Sequence, residues 1–448
     1  MLPAGEKDSM KDPAEIRVHC RPMMHEVAKE TVDSGSAPAL PYVTADLPGV
    51  GGVIKRFDED FFVTEVPLYP ASGEGTHQYL TIEKRGLTTL DAIRRIGRAL
   101  GVAPRQIGYA GLKDAHAVTR QRISVEHVAE ERIAALDLPG IAVVSVERHT
   151  NKIKLGHLAG NRFRIRIREV NRIREATDDP LLRVAAIMDV LEKRGSPNYF
   201  GPQRFGVRGD NAKIGTAVLG EDYDEAIAMM LGRPTNADRP DIHQARALFD
   251  DGRYEESAAA WPRRFSDQQR QVLTYMRSGR DARKAWMATA HPLRKLLISA
   301  VQSELFNQVL ARRIDEIDQL YVGDLAWKHA NGACFRVEDA IVEQPRCDSF
   351  EISPTGPLFG KSMTEPEGTP GEMESSILAE SSLTQKHFRP QGGVRLDGAR
   401  RPLRIPLLEP STQTARDDAG TYIELQFTLP PGAYATCVTR EVCKNELQ

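Results

Sequence analysis

The sequence predicts an α+β fold in which a sheet domain is interrupted by a helix-rich insertion. Short β-rich segments begin near residue 53, and a similar segment returns close to the end of the chain. Between about 211 and 382, apolar residues recur at helical spacing instead. We therefore expect a flexible N-terminal extension over 1–45, a sheet domain formed from 46–210 and 393–448, and an insertion over 211–392.

Local patterns predict the individual elements. Short β-rich segments bounded by Gly, Pro or charge predict strands at 61–66, 77–83 and 141–147. Alternation of apolar and polar residues predicts strands at 162–168 and 421–429. Two helices are predicted to start at the capping residues Thr89 and Asp179 and to end before Gly101 and Gly195, and a third is predicted over 293–317. A stretch rich in Glu, Ser, Pro and Gly, 361–382, is expected to be a solvated loop.

Composition narrows the class of protein. With 448 residues, of which 41% are hydrophobic, the chain can fill two cores. Lys and Arg number 60 and Asp and Glu 62, so net charge gives no sign of a polyanionic partner. The five cysteines form no CxxC pair, which argues against a disulfide framework or a structural zinc site. With no apolar leader or membrane-spanning run, we expect a soluble cytoplasmic protein.

A row of arginines alternates with apolar residues at 162–168. Successive side chains of a strand point to opposite faces, so the apolar residues lie on one face and the arginines on the other. Guanidinium groups suit phosphate because their planar fork donates two hydrogen bonds and stays charged. Arg164 and Arg166 are therefore candidates for binding a nucleic-acid backbone. A solvated face whose arginines pair with nearby acids explains the row equally well.

The segment 108–125, GYAGLKDAHAVTRQRISV, places a lysine next to an aspartate after two glycines. Gly108 and Gly111 permit a tight turn, and the charge of Lys113 favours the ionised form of Asp114. An ionised carboxylate at a loop tip can act as a nucleophile or as a general base. Taken alone, such an aspartate is more often an ordinary turn residue between strands.

Aromatic and amide side chains come together at 198–206, NYFGPQRFG. A nucleobase pocket needs a ring that stacks on the base and an amide that bonds to its edge. Phe200 and Asn198 supply these groups, and Gln203 and Arg204 follow closely in the chain. An aromatic loop packed on the core is the simpler alternative.

Together these motifs resemble the TruD family of tRNA pseudouridine synthases. GYAGLKDAHAVTRQ and NYFGPQRFG look like the two signature motifs of the family. Further similarity lies in Lys55 with the acidic-aromatic strand after it, and in KLGHLAGNRFRIRIREV, SAVQSELFNQVLARR and LPPGAYATCVTRE. The resemblance runs from about residue 50 to the C-terminus, and 361–392 match no family block.

The resemblance implies a mixed, mostly antiparallel sheet of the pseudouridine-synthase type. It implies an isomerase that acts on the uridine at position 13 of certain tRNAs, with Asp114 as its catalytic aspartate and Lys55 as the basic partner. Phe200 would stack on the target uracil, and Asn198 would hold the loop or contact the base. The other candidates for substrate binding are Lys113, Gln121, Gln203, Arg204, Arg164 and Arg166.

The implied reaction determines the expected cofactors and partners. It breaks the C1′–N1 bond of uridine, rotates the uracil and joins C5 to C1′ without redox change, so no cofactor is expected. Asp114 can attack C1′ or remove the C2′ proton, and the sequence leaves both routes open. The expected partner is tRNA, bound by a monomer with no membrane association and no obligate protein partner.

Two other functions fit parts of the pattern. A non-catalytic RNA-binding protein would keep the basic surface, but the presence of Asp114 and Lys55 counts against it. A metal-dependent hydrolase would need a DxD or His-rich ligand set, and the sequence contains neither.

Overall fold

A mixed β-sheet of nine strands forms the centre of the structure. The structure is a computed structural model that describes residues 40–170, 179–263, 266–279, 281–390 and 392–445.

Strands and helices alternate in the first part of the chain, as predicted. The strands are β1 Gly51–Val53, β2 Phe61–Pro67, β3 His77–Arg85, β4 Gly108–Tyr109, β5 Val118–Glu126, β6 Ile141–His149, β7 Leu158–Val170 and β8 Ser196–Pro197. The helices are α1 Thr89–Leu100, α2 Glu130–Ala134 and α3 Pro180–Arg194.

Among the described residues of 211–312, seven helices follow one another, and strands and helices alternate after them. The helices are α4 Asn211–Leu219, α5 Tyr223–Leu231, α6 Pro240–Asp250, α7 Tyr254–Ala260, α8 Asp267–Arg277, α9 Ala282–Ala288, α10 His291–Arg312, α11 Ala340–Asp348, α12 Gly368–Glu380 and α13 Ala435–Cys443. The strands are β9 Leu325–Lys328, β10 Cys334–Arg336, β11 Ile352–Leu358, β12 Ala399–Pro402, β13 Arg404–Ile405, β14 Leu408–Asp417 and β15 Gly420–Leu429. Within the described ranges, no helix combines the length and apolar character needed to cross a membrane. The boundaries of the insertion at 211 and 392 stay predictions.

The nine-stranded sheet joins strands from both ends of the chain. Its strands follow the order β14, β15, β7, β2, β5, β3, β6, with β1 paired to β7 and β4 paired to β5. β2 and β5 run parallel, and the other neighbouring strands run antiparallel. The predicted mixed, mostly antiparallel sheet is confirmed.

The two faces of this sheet have different surroundings. The strand register places Lys84 opposite Thr119 and Thr119 beside Val63, so these side chains share a face. Phe163 of β7 lies opposite Val63 and belongs to the same face. Two buried apolar clusters cover it, one packed with α3 and the other with α1. We call it the inner face; the arginines of β7 alternate with Phe163 and lie on the outer face.

The helix starts follow the capping rules, with one shift. The side chain of Thr88, rather than Thr89, accepts the backbone N–H of Asp91 and caps α1. Asp179 accepts the N–H of Leu181 and caps α3, which confirms that prediction. The predicted long helix ends at Arg312, and residues 314–316 continue only as a 3-10 turn.

The segment 361–382, predicted to be a solvated loop, contains helix α12, so that prediction is wrong. Pro370, Glu374 and Ile377 of this helix are buried. Glu374 forms an ion pair with Arg400 of β12, with an N–O distance of 2.6 Å, although burial raises the pKa of its carboxyl. The polar composition of this segment suggested a loop. A helix can nevertheless bury a charged residue when a distant strand supplies the opposite charge.

The ordered packing begins before the predicted boundary at residue 45. The backbone amides of Val43 and Thr44 each donate to the carboxylate of Glu441 in α13, over 3.1 Å. Residues 40–44 therefore pack against α13. The rest of the predicted extension, 1–39, lies outside the described residues.

Replacing Arg400 with Met should destabilise the fold, because it leaves the Glu374 carboxylate buried without its cation. We expect the free energy of unfolding to fall by about 3–5 kcal/mol in urea denaturation followed by circular dichroism. Arg312→Met is the matched control. Arg312 of α10 pairs at an exposed position with Glu380, which lies in α12 like Glu374, so this variant should leave stability nearly unchanged. Equal losses in the two variants would show that the buried pair has no special role.

Candidate active site

The Asp114 loop, residues 110–117 between β4 and β5, presents a carboxylate to a lysine from a different part of the chain. Nζ of Lys55, in the bend between β1 and β2, lies 3.1 Å from Oδ2 of Asp114. The Asp114 side chain is 46% exposed and the Lys55 side chain 26%. The carboxylate is thus paired with a cation and still open to a substrate.

Lys55 has a left-handed backbone conformation and contacts an aromatic ring. Its φ is 57°, in the left-handed region that costs an L-residue roughly 1–2 kcal/mol. Its Nζ also lies 4.1 Å from the ring centroid of Phe61, the first residue of β2, which is a cation–π contact. Backbone strain at a residue that contacts a carboxylate is typical of functional sites.

Lys113, the neighbour of Asp114, pairs with Glu65 of β2. The two charged atoms are 2.8 Å apart, and the side chains are only 5% and 2% exposed. Glu65 also accepts the backbone N–H of Arg122 in β5, over 3.2 Å. The sequence suggested Lys113 as the cation beside the Asp114 carboxylate. In the structure Lys55 occupies that place, and Lys113 fixes the Asp114 loop to the sheet.

Further hydrogen bonds hold the Asp114 loop from its inner side. The backbone N–H of Lys113 donates to the Thr89 hydroxyl over 2.9 Å, and that hydroxyl donates to Oε1 of Gln121 over 2.8 Å. Gln121, a candidate for substrate binding, is buried and supports the loop through Thr89. Nζ of Lys84 donates to the carbonyl oxygen of Asp114 over 2.7 Å.

Asn198 joins the NYFG segment to β12. Its Nδ2 donates to the carbonyl of Pro402 over 2.8 Å, and its backbone N–H donates to the carbonyl of Leu403 over 2.9 Å. Its Oδ1 accepts a hydrogen bond from the Arg401 guanidinium. Asn198 was expected either to hold the loop or to contact the base. These contacts favour the role of holding the loop.

Phe200 is fixed on several sides and is 8% exposed. Its backbone N–H donates to Oδ1 of Asn307 over 2.9 Å, and its carbonyl accepts from Nδ2 of the same residue over 3.0 Å. The Arg401 guanidinium lies 4.3 Å from the ring centroid, and the Phe306 ring packs edge-on at 5.6 Å. Burial lowers the pKa of Arg401. The ring is therefore rigidly placed before any substrate arrives.

The other two candidates of this segment differ in surroundings. Nε of Arg204 donates to the Ser303 hydroxyl over 3.0 Å, and its guanidinium lies 5.6 Å from the Phe200 ring centroid. Gln203 is exposed.

The arginine row of β7 pairs with acids along its length. Arg166 lies 3.1 Å from Asp417, and Arg164 lies 3.8 Å from Glu424. Arg168 is buried and bonds to Asp417, which lowers the pKa of that carboxyl to about 2. The row lies on the outer face, whereas Lys84 and Phe163 lie on the inner face. These observations favour the alternative of a solvated, ion-paired face.

Both motifs contribute to one large buried apolar cluster, which also covers part of the inner face of the sheet. Ala117, at the end of the Asp114 loop, and Phe200 belong to the same buried apolar cluster. Across the part of the chain that the structure describes, no group of three or more His, Cys, Asp or Glu side chains is placed to hold a metal ion.

The sequence reasoning missed four residues that shape the site. Lys84 and Glu65 occupy inward positions of β3 and β2, where the alternation otherwise calls for apolar residues, and a charge at such a position was the signal available. Arg401 gave no local signal. Asn307 lies in the family-like block SAVQSELFNQVLARR, but its role could not be assigned, because its contact with Phe200 joins segments that are distant in sequence.

Comparison with known proteins identifies relatives that match most of this chain. A model of the family described as tRNA pseudouridine synthase D (TruD) matches residues 39–442. A protein of Geobacter metallireducens named tRNA pseudouridine synthase D is 48% identical over 404 residues, which cover 90% of this chain and 98% of that protein. One of the same name from Geotalea daltonii is 46% identical over 405 residues, covering 90% and 100%.

A solved structure from Methanosarcina mazei that bears the TruD name shares the fold. It superposes with a TM-score of 0.79 at 26% sequence identity and covers 91% of this chain and 96% of its own. The chain belongs to the TruD family of tRNA pseudouridine synthases.

Proposed function

We propose that this protein converts the uridine at position 13 of certain tRNAs to pseudouridine, with Asp114 as the catalytic carboxylate and without a cofactor. Family membership supports the reaction. The observation that carries the assignment of Asp114 is its 3.1 Å contact with Lys55 on a half-exposed loop.

Lys55 orients the carboxylate. Its hydrogen bond uses Oδ2 of Asp114, so we assign Oδ1 to the substrate. Because the loop backbone is bonded to Thr89 and Lys84, this oxygen is placed before the tRNA binds. Placement of a reacting group in advance lowers the entropic part of the barrier.

The chemistry needs one negative oxygen near the sugar of the target nucleotide. Oδ1 can attack C1′ to form a covalent sugar intermediate, or it can remove the C2′ proton to form a glycal. In both routes the C1′–N1 bond breaks, the uracil rotates and C5 bonds to C1′, which displaces Oδ1 in the first route and is accompanied by return of the C2′ proton in the second. C5 then loses its proton and N1 gains one. The product contains the atoms of the substrate, so no oxidant, reductant or group donor is consumed.

The target uridine must leave its stack before it can reach Asp114. Extrusion of a base costs a few kcal/mol, and stacking of the base on an aromatic side chain returns about 1–3 kcal/mol. We assign this stacking role to Phe200, whose backbone and ring are fixed by Asn307 and Arg401.

Asp114→Asn should keep the fold and tRNA binding but abolish pseudouridine formation, because an amide can neither attack C1′ nor accept the C2′ proton. Total tRNA is incubated with each protein, and pseudouridine is mapped by carbodiimide treatment and primer extension. The wild-type protein should produce one new primer-extension stop, at position 13, and the variant should produce none. Asp189→Asn, which loses an exposed pair with Lys193, is the control and should behave as the unmodified protein.

Two outcomes of this experiment count against the proposal in different ways. Pseudouridine formation by Asp114→Asn would refute the catalytic assignment. An unmodified protein that binds tRNA but forms no pseudouridine would favour the non-catalytic RNA-binding alternative.

Phe200→Leu should lower kcat/KM for folded tRNA roughly ten- to a hundred-fold, since the stacking surface is lost, while Phe200→Tyr keeps the ring and most of the activity. Kinetics with a tritium-labelled tRNA transcript would measure this. Phe388→Leu is the control, because Phe388 is also buried but packs against Phe359. The stacking role fails if both leucine variants lose activity equally.

Replacing both Arg164 and Arg166 with Ser should leave tRNA affinity and its salt dependence unchanged, because both arginines pair with acids on the outer face. Filter binding at several salt concentrations would test this. If the two arginines bind phosphates instead, the slope of log K against log salt should fall by about 0.9 per lost contact.

A further inference from the structure

Lys84, near the end of β3, is buried to the last atom and bonds to the Asp114 loop. The residue is 0% exposed. Its Nζ donates to the carbonyl oxygen of Asp114 over 2.7 Å and to that of Leu87 over 2.6 Å. Since Leu87 lies in the connection between β3 and α1, one ammonium group joins the loop that carries the proposed catalytic carboxylate to the start of α1.

We propose that Lys84 is a positioning residue for the reaction: it fixes the main chain at Asp114 while Lys55 fixes the side chain. The inference rests on the catalytic role proposed for Asp114. The two lysines hold opposite ends of the same residue, one at the carboxylate and one at the carbonyl. Between these two bonds only the backbone dihedral ψ and the two side-chain dihedrals of Asp114 are left to vary.

The burial of this charge is unfavourable for the fold. Both acceptors are carbonyls rather than carboxylates, and burial lowers the pKa of Lys84 to about 8. Leu80 and Ile82, on the same face of β3, belong to the apolar cluster around α1. An apolar side chain at residue 84 would avoid the desolvation of an ammonium group. A charge that weakens the fold at a core position indicates a role in the site.

The surroundings of Lys84 define its response to pH. Asp114 and Asp58 favour its charged form, Lys113 opposes it, and its partners in the adjacent strands β5 and β6 are uncharged. The ammonium loses its proton as pH rises through about 8, whereas an unfolded chain keeps it to about 10.5. Between these values the unfolded state binds more protons, so stability rises with pH while the contact with Asp114 weakens.

Lys84→Met tests the inference, because methionine has similar length and no charge. The single-turnover rate of pseudouridine formation should fall about 100-fold at neutral pH, with little change in the Kd for tRNA. The unmodified protein should lose rate as pH rises through about 8, and the variant should not. The Tm of the variant should equal or exceed that of the unmodified protein, which a purely structural role would not produce.

Ile82→Val is the matched control, since Ile82 lies two residues earlier on the same face. It should lower Tm but keep the rate and the pH profile. Amide hydrogen exchange of the 110–117 segment gives a readout that does not depend on enzymatic activity. Exchange in this segment should be faster in Lys84→Met than in the wild-type protein.

The outcomes separate this inference from the proposed function. If the unmodified protein is active and Lys84→Met matches it in rate, pH profile and exchange, the inference about Lys84 is overturned. If the unmodified protein is inactive on tRNA, the proposed function is overturned, and faster exchange in the variant would still support the contact between Lys84 and the loop.

Discussion

The site depends on the contact between the Asp114 carboxylate and the Lys55 ammonium. The two residues are 59 positions apart, and only the assembled sheet brings their loops together. An aspartate at a loop tip can turn about two side-chain dihedrals, and a hydrogen bond to one of its oxygens selects the direction of the other. The left-handed backbone of Lys55 is the local strain that accompanies this placement.

The inner face of the sheet explains why so many polar groups are buried near the loop. Two separate apolar clusters cover this face, and Glu65, Lys113, Gln121 and Lys84 are among the polar side chains that lie there. Each has a partner that fixes the Asp114 loop, directly or through Thr89. The outer face differs, because its arginines are matched by acids from β14 and β15.

Local signals predicted much of the fold. The strand at 162–168 and the cap at Asp179 could be found because alternation and capping act over a few residues. Helix α12 was missed because its packing depends on Arg400, which lies outside the segment. For the site, the resemblance supplied Asp114, Lys55 and Phe200, whereas Arg401 and Asn307 could not be found because their contacts exist only after the chain has folded.

The paired hydrogen bonds between Asn307 and the backbone of Phe200 connect α10 directly to the segment proposed to stack on the target base. That helix lies in the segment interpreted as an insertion, yet it satisfies both main-chain groups of the residue assigned to stack on the base. Helix α10 and the ring of Phe200 are therefore mechanically linked, because a displacement of this helix would also displace the backbone of Phe200. Removing the helical segment to obtain a smaller enzyme would leave these two groups unpaired in a buried position.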